Sequence, residues 1–165
     1  MSANRGRRQE PTINRFTFVP HYLGVLSNSF IWSQSRYFLD TYDLGVNELR
    51  VISVLAFSGE LSATGLCDAL VMNKSIVSRT LAKLQEKGVI VSTGGGRNQA
   101  FRLTELGYDF NAKIVKISLA REDRLLRGLS DTDRVILLGY MAKMVDNLDY
   151  AGDFADIIPP LGLDD

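Results

Sequence analysis

The segment from Asn73 to Gly88 combines an apolar face and a polar, cationic face at helical spacing. Val77, Leu81 and Leu84 recur at positions i, i+4 and i+7, so one side of a helix can pack inward. The other side presents hydroxyl groups and cations: Lys74, Ser75, Ser78, Arg79 and Lys83. Such side chains can reach phosphates and base edges in a DNA major groove, and a terminal glycine can end the helix in the left-handed conformation. The segment therefore predicts the recognition helix of a winged helix-turn-helix.

Two shorter helices are predicted before this segment. Asn47 is a candidate N-cap for a helix in which Leu49, Ile52 and Leu55 face inward. A Ser-Gly turn follows, and Ser62 can cap the next helix, although no acid stands three residues later to complete a capping box. The order helix, tight turn, helix is that of a helix-turn-helix.

The residues after the recognition helix predict a β-hairpin. The β-prone runs Val89–Ser92 and Arg97–Leu103 flank three successive glycines, Gly94 to Gly96. A hairpin directly after a recognition helix is a wing. A glycine-rich phosphate loop is the rival interpretation, but it requires a Gly-Lys-Ser/Thr ending followed by a helix, and the sequence has neither.

Charge is distributed unevenly along a chain whose formal net charge is +0. Between Asn73 and Thr104 the cations are Lys74, Arg79, Lys83, Lys87, Arg97 and Arg102, opposed by Glu86 alone. From position 146 onward the charged residues are acidic: Asp146, Asp149, Asp153, Asp156, Asp164 and Asp165. This polarity predicts one basic working face and an acidic tail, with solvated surface charge as the alternative.

Composition excludes several classes of protein. Cys67 is the single cysteine, which rules out an internal disulfide and a cysteine-rich zinc site. One histidine, no nucleophile elbow and no metal-spaced cluster leave little from which to build an active site, so neither an enzyme nor a cofactor is expected. No apolar run approaches the roughly 18 residues that a membrane span needs, and no secretory signal is evident. A cytoplasmic protein is expected.

The chain ends predict a helical dimerisation region around the DNA-binding lobe. We expect a basic arm at 1–19, an N-terminal helix at 20–42 that starts near Pro20, a winged lobe at 43–104, C-terminal helices at 105–150 and an acidic tail at 151–165. Gly128 is expected to separate the two C-terminal helices, and Ser130 with Asp133 to cap the second. The apolar stripes of these helices exceed what a small winged-helix core can cover, which is typical of a subunit interface. The fold class is mainly α with a small β-hairpin wing.

Three motifs, taken in order, resemble the MarR (multiple-antibiotic-resistance regulator) family over Leu23 to Leu148. The run Leu44-Gly45-Val46-Asn47-Glu48-Leu49-Arg50-Val51-Ile52 resembles the family's entry to its second helix. Lys74-Ser75-Ile76-Val77-Ser78-Arg79 resembles its recognition helix, and Leu103-Thr104-Glu105-Leu106-Gly107 the sequence that closes its wing.

The resemblance implies a homodimer that regulates transcription, as a repressor, by binding a pseudo-palindromic operator in double-stranded DNA. Two departures from the family pattern affect the expected contacts. Gly95 replaces the aspartate that usually accompanies the wing arginine, here Arg97, and Ile76 stands where threonine is common. Ile76 can contact a thymine methyl group or pack against the second helix. The expected DNA-binding residues are Ser62, Asn73, Lys74, Ser75, Ile76, Ser78, Arg79, Lys83, Arg97, Asn98 and Arg102.

The resemblance also implies release from DNA by a small effector, such as an aromatic carboxylate or a phenolic compound. His21, Asn28 and Trp32 share a face of the first helix, near an upstream cation. The expected effector-binding residues are Arg15, His21, Asn28, Trp32 and Tyr37, with dimer packing as the alternative role for the aromatic ones. Two alternative functions are a thiol-redox regulator acting through Cys67 and a winged-helix protein-interaction module that does not bind DNA.

Overall fold

The computed structural model describes residues 12–96 and 99–161 of the 165-residue chain. The described residues form eight α-helices and three β-strands, so the protein is mainly helical with a small sheet, as predicted. In chain order they are α1 (Val19–Tyr42), α2 (Val46–Ser58), β1 (Glu60–Ser62), α3 (Ala63–Leu70), α4 (Lys74–Glu86), β2 (Ile90–Thr93), β3 (Ala100–Leu103), α5 (Glu105–Leu125), α6 (Asp131–Asp146), α7 (Leu148–Ala151) and α8 (Phe154–Leu161). The chain divides into two compact units, Met1–Val115 and Lys116–Asp165.

The sheet of the first unit contains the predicted hairpin and one strand that the sequence did not reveal. β2 and β3 pair antiparallel, with Ile90 opposite Leu103 and Thr93 opposite Ala100, which confirms the hairpin. β1 adds to the other edge of β3, with Leu61 opposite Phe101, and gives the order β1-β3-β2. A strand of three residues has too short an alternation to predict, and its partner lies about forty residues later in the chain.

The core of the first unit is formed by apolar faces of α2, α3 and α4 together with the sheet. Leu49, Ile52 and Leu55 of α2 are buried, as predicted from their spacing. Val77 and Leu84 of α4 are fully buried as well, which confirms the inward face of the predicted recognition helix. The other fully buried side chains of this unit include Phe38, Leu44, Val51, Leu66, Val89, Ile90 and Leu103.

The junction between α1 and α2 differs from the prediction. Asn47 is not an N-cap, because α2 begins at Val46 and Gly45 occupies the capping position. Glu48 reaches back from the third helical position, and its Oε2 accepts a hydrogen bond of 2.7 Å from the Gly45 N–H. Glycine has no side chain that could mark it as a cap in the sequence, whereas asparagine is a common capping residue, and this misplaced the start of the helix.

The other predicted helix starts have the expected hydrogen bonds. Ser62 Oγ accepts from the Gly65 N–H at 3.1 Å at the start of α3. At the start of α6, Ser130 Oγ accepts from the Asp133 N–H at 3.2 Å and Asp133 Oδ2 accepts from the Ser130 N–H at 2.9 Å. The Ser130 hydroxyl also donates to Asp133 Oδ2 at 2.7 Å, and this bond, followed by the one from the Ser130 N–H, holds the pKa of Asp133 below its ordinary value. α5 ends at Leu125, three residues before the predicted end at Gly128, which has a positive φ of 94°.

Apolar side chains of the second unit remain largely exposed in this chain. On α6 and just after it, the predicted stripe is 71% exposed at Val135 and 63% exposed at Leu138, Val145 and Leu148. The predicted tail at 151–165 contains α8, a helix with Pro159 and Pro160 inside it, and residues 162–165 lie outside the described part. Residues 1–11 of the predicted arm also lie outside it. Along the described ranges no helix is long and apolar enough to cross a membrane.

Candidate nucleic-acid interface

The start of α4 is fixed by Asn73. Its Oδ1 accepts a hydrogen bond of 3.0 Å from the Ile76 N–H and one of 2.8 Å from the Ser75 hydroxyl. Asn73 is thus the N-cap of α4. The sequence predicts it as a DNA contact and does not reveal this structural role. The cap orders the first turn of α4, which bears the exposed Lys74 and Ser75. The N-terminal end of α4 is therefore closed by a side-chain hydrogen bond.

The exposed face of α4 is polar and cationic, as predicted. Ser78 and Arg79 are exposed, while Val77 and Thr80 beside them are buried. Arg79 Nε donates to the Ser75 carbonyl oxygen at 3.2 Å, which aligns the side chain along the helix. The terminal nitrogens of a guanidinium are the atoms that form the paired hydrogen bonds to guanine. The Nε bond restrains the Arg79 side chain, and no hydrogen bond to the protein engages its two terminal nitrogens within the described residues.

A groove lies between α3, α4 and the wing, with a volume of about 470 Å³. Three predicted residues meet there: Ser62, Lys74 and Ser78. The remaining lining includes Thr64, Gln85, Gly96, Gln99 and Phe101. The two glutamines and Thr64 were absent from the sequence prediction, because amides and hydroxyls on surfaces have no distinguishing pattern. The groove combines hydroxyl, amide and ammonium groups, which are donors suited to phosphate oxygens.

A second groove, of about 370 Å³, lies between the start of α2 and the middle of α4. Its lining residues are Asn47, Glu48, Ile76, Arg79, Thr80 and Lys83. Ile76 is half-buried here beside Asn47 and Glu48, which agrees with the second of its two predicted roles, packing against α2.

Lys83 makes an ion pair within the protein. Its Nζ lies 3.1 Å from Asp43 Oδ1, and Lys87 Nζ lies 2.9 Å from Asp43 Oδ2. Hydrogen bonds from Lys87 and, second, from Lys83 hold the pKa of Asp43 below its ordinary value. The prediction of Lys83 as a DNA contact took no account of this pair, because Asp43 is 40 residues away in the sequence. Two of the six cations that made the segment basic are thus opposed by an acid from α1.

The wing is described on both sides of its tip. Arg102 is exposed on β3, opposite Val91 of β2 and Glu60 of β1. Gly94 and Gly96 have positive φ values of 66° and 60°, a conformation that glycine adopts without strain. Arg97 and Asn98, both predicted to contact DNA, lie outside the described residues.

The junction between the wing and α5 explains the Leu-Thr-Glu-Leu-Gly motif. Thr104 Oγ1 donates to the Gly88 carbonyl oxygen at 2.7 Å and accepts from the Gly107 N–H at 3.1 Å. Gly107 is buried, and a Cβ atom at this position would collide with the Val89 carbonyl oxygen. The motif thus joins the end of α4, the base of the wing and the start of α5 at one point.

The five predicted effector-binding residues are not gathered in either groove. Trp32 is 74% exposed and Tyr37 50% exposed on α1, while His21 is half-buried. The Arg15 guanidinium lies 4.8 Å from the centre of the Phe16 ring, before α1 begins, and Asn28 is exposed. Cys67 is a free thiol and half-buried.

Comparison with known proteins identifies the lobe that contains this interface. Residues 42–97 match the family model of MarR. Over this range the chain has the sequence pattern of the MarR family. The matched range runs from the end of α1 through α4 and into the wing, so it includes both grooves. A search of curated proteins gave no match.

Solved structures of MarR-family proteins extend the likeness to most of the chain. A MarR/EmrR-family transcriptional regulator from Acinetobacter sp. ADP1 is 28% identical, with a TM-score of 0.75, over 84% of this chain and 99% of that one. The S. aureus MepR–DNA complex is 19% identical, with a TM-score of 0.70, over 82% and 99% of the two chains. A Listeria monocytogenes protein assigned to the MarR regulators, complexed with 26mer DNA, is 16% identical, with a TM-score of 0.74, over 80% and 89%. The winged-helix fold of a MarR-family transcriptional regulator therefore extends over at least four fifths of this chain.

Proposed function

We propose that this MarR-family protein is a dimeric repressor that binds a pseudo-palindromic operator through α4 and releases it when a small effector binds. The observation that supports this most directly is the division of α4 into two faces. Val77 and Leu84 are fully buried, while Ser78 and Arg79 on the other side are exposed and held by a capped helix. An exposed face of hydroxyl groups and a guanidinium is complementary to a DNA major groove.

The proposed contacts combine the exposure of the described side chains with the sequence-based assignment of Arg97 and Asn98, which lie outside the described residues. Ser75, Ser78 and Arg79 lie on the exposed face of α4 and are assigned to the major groove. Lys74, Ser62 and Thr64 line the groove between α3, α4 and the wing and are assigned to backbone phosphates. Arg102 is assigned to a phosphate near the wing, and Arg97 with Asn98 to the adjacent minor groove. Lys83 is removed from the predicted set because Asp43 neutralises it.

A dimer is proposed from the exposed apolar surface of α1 and α6, each described within its own unit. Leu23 and Leu26 of α1 are 37% and 42% exposed, and Val135 and Leu138 of α6 are 71% and 63% exposed. Surfaces of this kind cost free energy in water and are buried in subunit interfaces. A two-fold dimer places its recognition helices about 34 Å apart, one turn of DNA, and so specifies a pseudo-palindrome.

The effector proposal concerns α1 and the residues before it. Trp32 and Tyr37 offer aromatic surface, and Arg15 and His21 offer polar groups for an anionic or phenolic ring. Release of DNA requires that the effector bind more tightly to a lobe arrangement that does not match one DNA turn. Aromatic acids and phenols are the compounds to screen first.

The proposal is tested by selecting duplexes from a random pool with the purified protein. Enriched duplexes should share an inverted repeat, and binding to one of them should weaken linearly in log K against log salt, by about one unit of slope per phosphate contacted. A shuffled duplex of the same composition should fail to displace it. Equal retention of all duplexes would contradict sequence-specific binding, and retention of none would favour the protein-interaction module.

A further inference from the structure

The end of α1 is tied to the C-terminal end of α4 by a single carboxylate. Asp43 follows α1 with φ 53° and ψ 40°, a left-handed conformation that aspartate and asparagine tolerate better than most residues. Its N–H donates to the Leu39 carbonyl oxygen at 3.0 Å and so closes α1. Its side chain points to a different helix. Each oxygen binds one lysine of α4 or its cap, Lys83 at 3.1 Å and Lys87 at 2.9 Å.

The side chains of Lys83 and Lys87 are positioned to pair with this carboxylate. They are four residues apart, so they lie on the same side of α4, one turn from each other. Their side chains are 32% and 31% exposed, whereas the Asp43 side chain is 64% exposed. Cations at the C-terminal end of a helix are also favoured by its dipole. The arrangement is therefore a two-point attachment of one helix end to another.

The backbone around Asp43 is fixed independently of the ion pairs. Leu44 and Phe38 are fully buried on either side of it. The Tyr42 ring lies 5.4 Å from the Phe110 ring of α5 in an edge-to-face arrangement, and Lys113 Nζ lies 4.9 Å from the Tyr42 ring centre. Loss of the Asp43 charge should therefore leave the fold intact while removing the ion pairs that join the end of α1 to the C-terminal end of α4.

A small rotation of α4 about its C-terminal end produces a large displacement of its N-terminal end. α4 contains 13 residues and is therefore about 20 Å long at 1.5 Å per residue. A tilt of about 10° about the Asp43 end would move the first turn by about 3 Å, which is more than the range over which a hydrogen bond persists. The direction of α4 relative to α1 thus decides whether Ser75 and Arg79 meet their targets.

We propose that Asp43, Lys83 and Lys87 form a latch that fixes the direction of the recognition helix relative to α1, which makes Asp43 a positioning residue for specific DNA binding. This inference rests on the proposed function. The latch is expected to act on specific contacts, because Asp43 engages both lysine Nζ atoms within the protein. It also provides a physical link by which a change in α1 reaches α4.

The test begins with Asp43→Asn, which keeps a residue that tolerates the left-handed conformation and removes the charge. Asp40→Asn is the matched control, because Asp40 is also an acid near the end of α1 but pairs with Arg36 of the same helix, at 3.9 Å. The probes are a duplex selected by the wild-type protein from a random pool and a shuffled duplex of equal length. With both variants folded by circular dichroism, Asp43→Asn should bind the selected duplex about tenfold more weakly and the shuffled duplex equally well. Asp40→Asn should match the wild type on both.

Lys83→Met with Lys87→Met tests the same latch from α4 while retaining the apolar stems. The pair should weaken binding to the selected duplex without changing the salt dependence, and should add nothing in the Asp43→Asn background. A salt slope reduced by about one per lysine, with both duplexes weakened, would show phosphate contacts and overturn the latch. So would unchanged specificity in Asp43→Asn. A wild-type protein that selects no duplex would instead overturn the proposed function, and the latch with it.

Discussion

The close approach of α5 to the base of the wing makes a sharp prediction about Gly107. A Cβ atom built at Gly107 would collide with the Val89 carbonyl oxygen and would lie 3.1 Å from both Cβ and Cδ2 of Leu103. Neither the carbonyl nor a Cβ atom can move without its backbone. Gly107→Ala should therefore push α5 away from the strand end that it caps.

Gly65 offers a control that differs in almost nothing except this collision. Gly65 and Gly107 are each the third residue of their helix, and each N–H donates to the capping hydroxyl at 3.1 Å. At Gly65 the nearest atoms are the flexible end of Leu61 at 3.3 Å and Ser62 Oγ at 3.5 Å. Both alanine variants gain the same helix propensity, about 1 kcal/mol over glycine. The difference between them thus isolates the overpacking, which costs about 1–3 kcal/mol.

Urea unfolding of the two variants and the wild type at one protein concentration measures this difference. The Gly65→Ala midpoint should equal or exceed that of the wild type, while the Gly107→Ala midpoint should fall, with Gly107→Ala about 2 kcal/mol less stable than Gly65→Ala. Equal stability of the two variants would refute the argument that α5 and Val89 are in close contact.

Two further predictions concern single residues of the same lobe. Val71 has φ 50° and is 92% exposed. Val71→Gly should relieve backbone strain of about 1–3 kcal/mol, lose about 0.5–1 kcal/mol to the greater entropy of the unfolded chain, and so raise the urea midpoint, whereas Val71→Ala should not. A glycine variant that is no more stable than wild type would contradict this. The lowered pKa of Asp43 means that its carboxylate stabilises the fold above the unfolded value near 3.8 and loses this effect as pH falls through the folded pKa. The stability difference between wild type and Asp43→Asn should therefore be constant at neutral pH and shrink as pH falls through 3.8 towards the lowered folded pKa, and a difference that stays constant in acid would exclude the ion pairs with Lys83 and Lys87 as its source.

Local features of the fold were predictable from the sequence because their causes are local. Ser62 and Ser130 cap helices by bonding to N–H groups three residues away, and the spacing of Val77 and Leu84 sets the buried face of α4. Gly45 could not be identified as a cap, because the group that completes the α2 start is the Glu48 carboxylate on the following turn. The prediction of the α2 start failed because the hydrogen bond that completes it comes from a residue other than the predicted cap.

Contacts between distant segments were not predictable in this way. β1 exists because Leu61 finds Phe101 across the sheet, and Lys83 is occupied because α1 ends with Asp43 beside it. Both depend on tertiary placement, which no spacing rule encodes. The DNA-binding residues and the effector-binding residues stay predictions. The structure weakens the DNA-binding assignment chiefly for Lys83 and Asn73, whose polar groups form hydrogen bonds within the protein.

The central claim is that the exposed face of α4 recognises DNA, and charge reversal at Arg79 tests it most directly. Arg79→Glu removes a bidentate donor from α4 and puts a carboxylate in its place, so affinity for a duplex selected by the wild type should fall about a hundredfold or more. Lys116→Glu makes the same charge change at an exposed residue of α5 and should leave that affinity within about threefold. If Arg79→Glu binds the selected duplex as tightly as Lys116→Glu does, α4 is not the recognition helix.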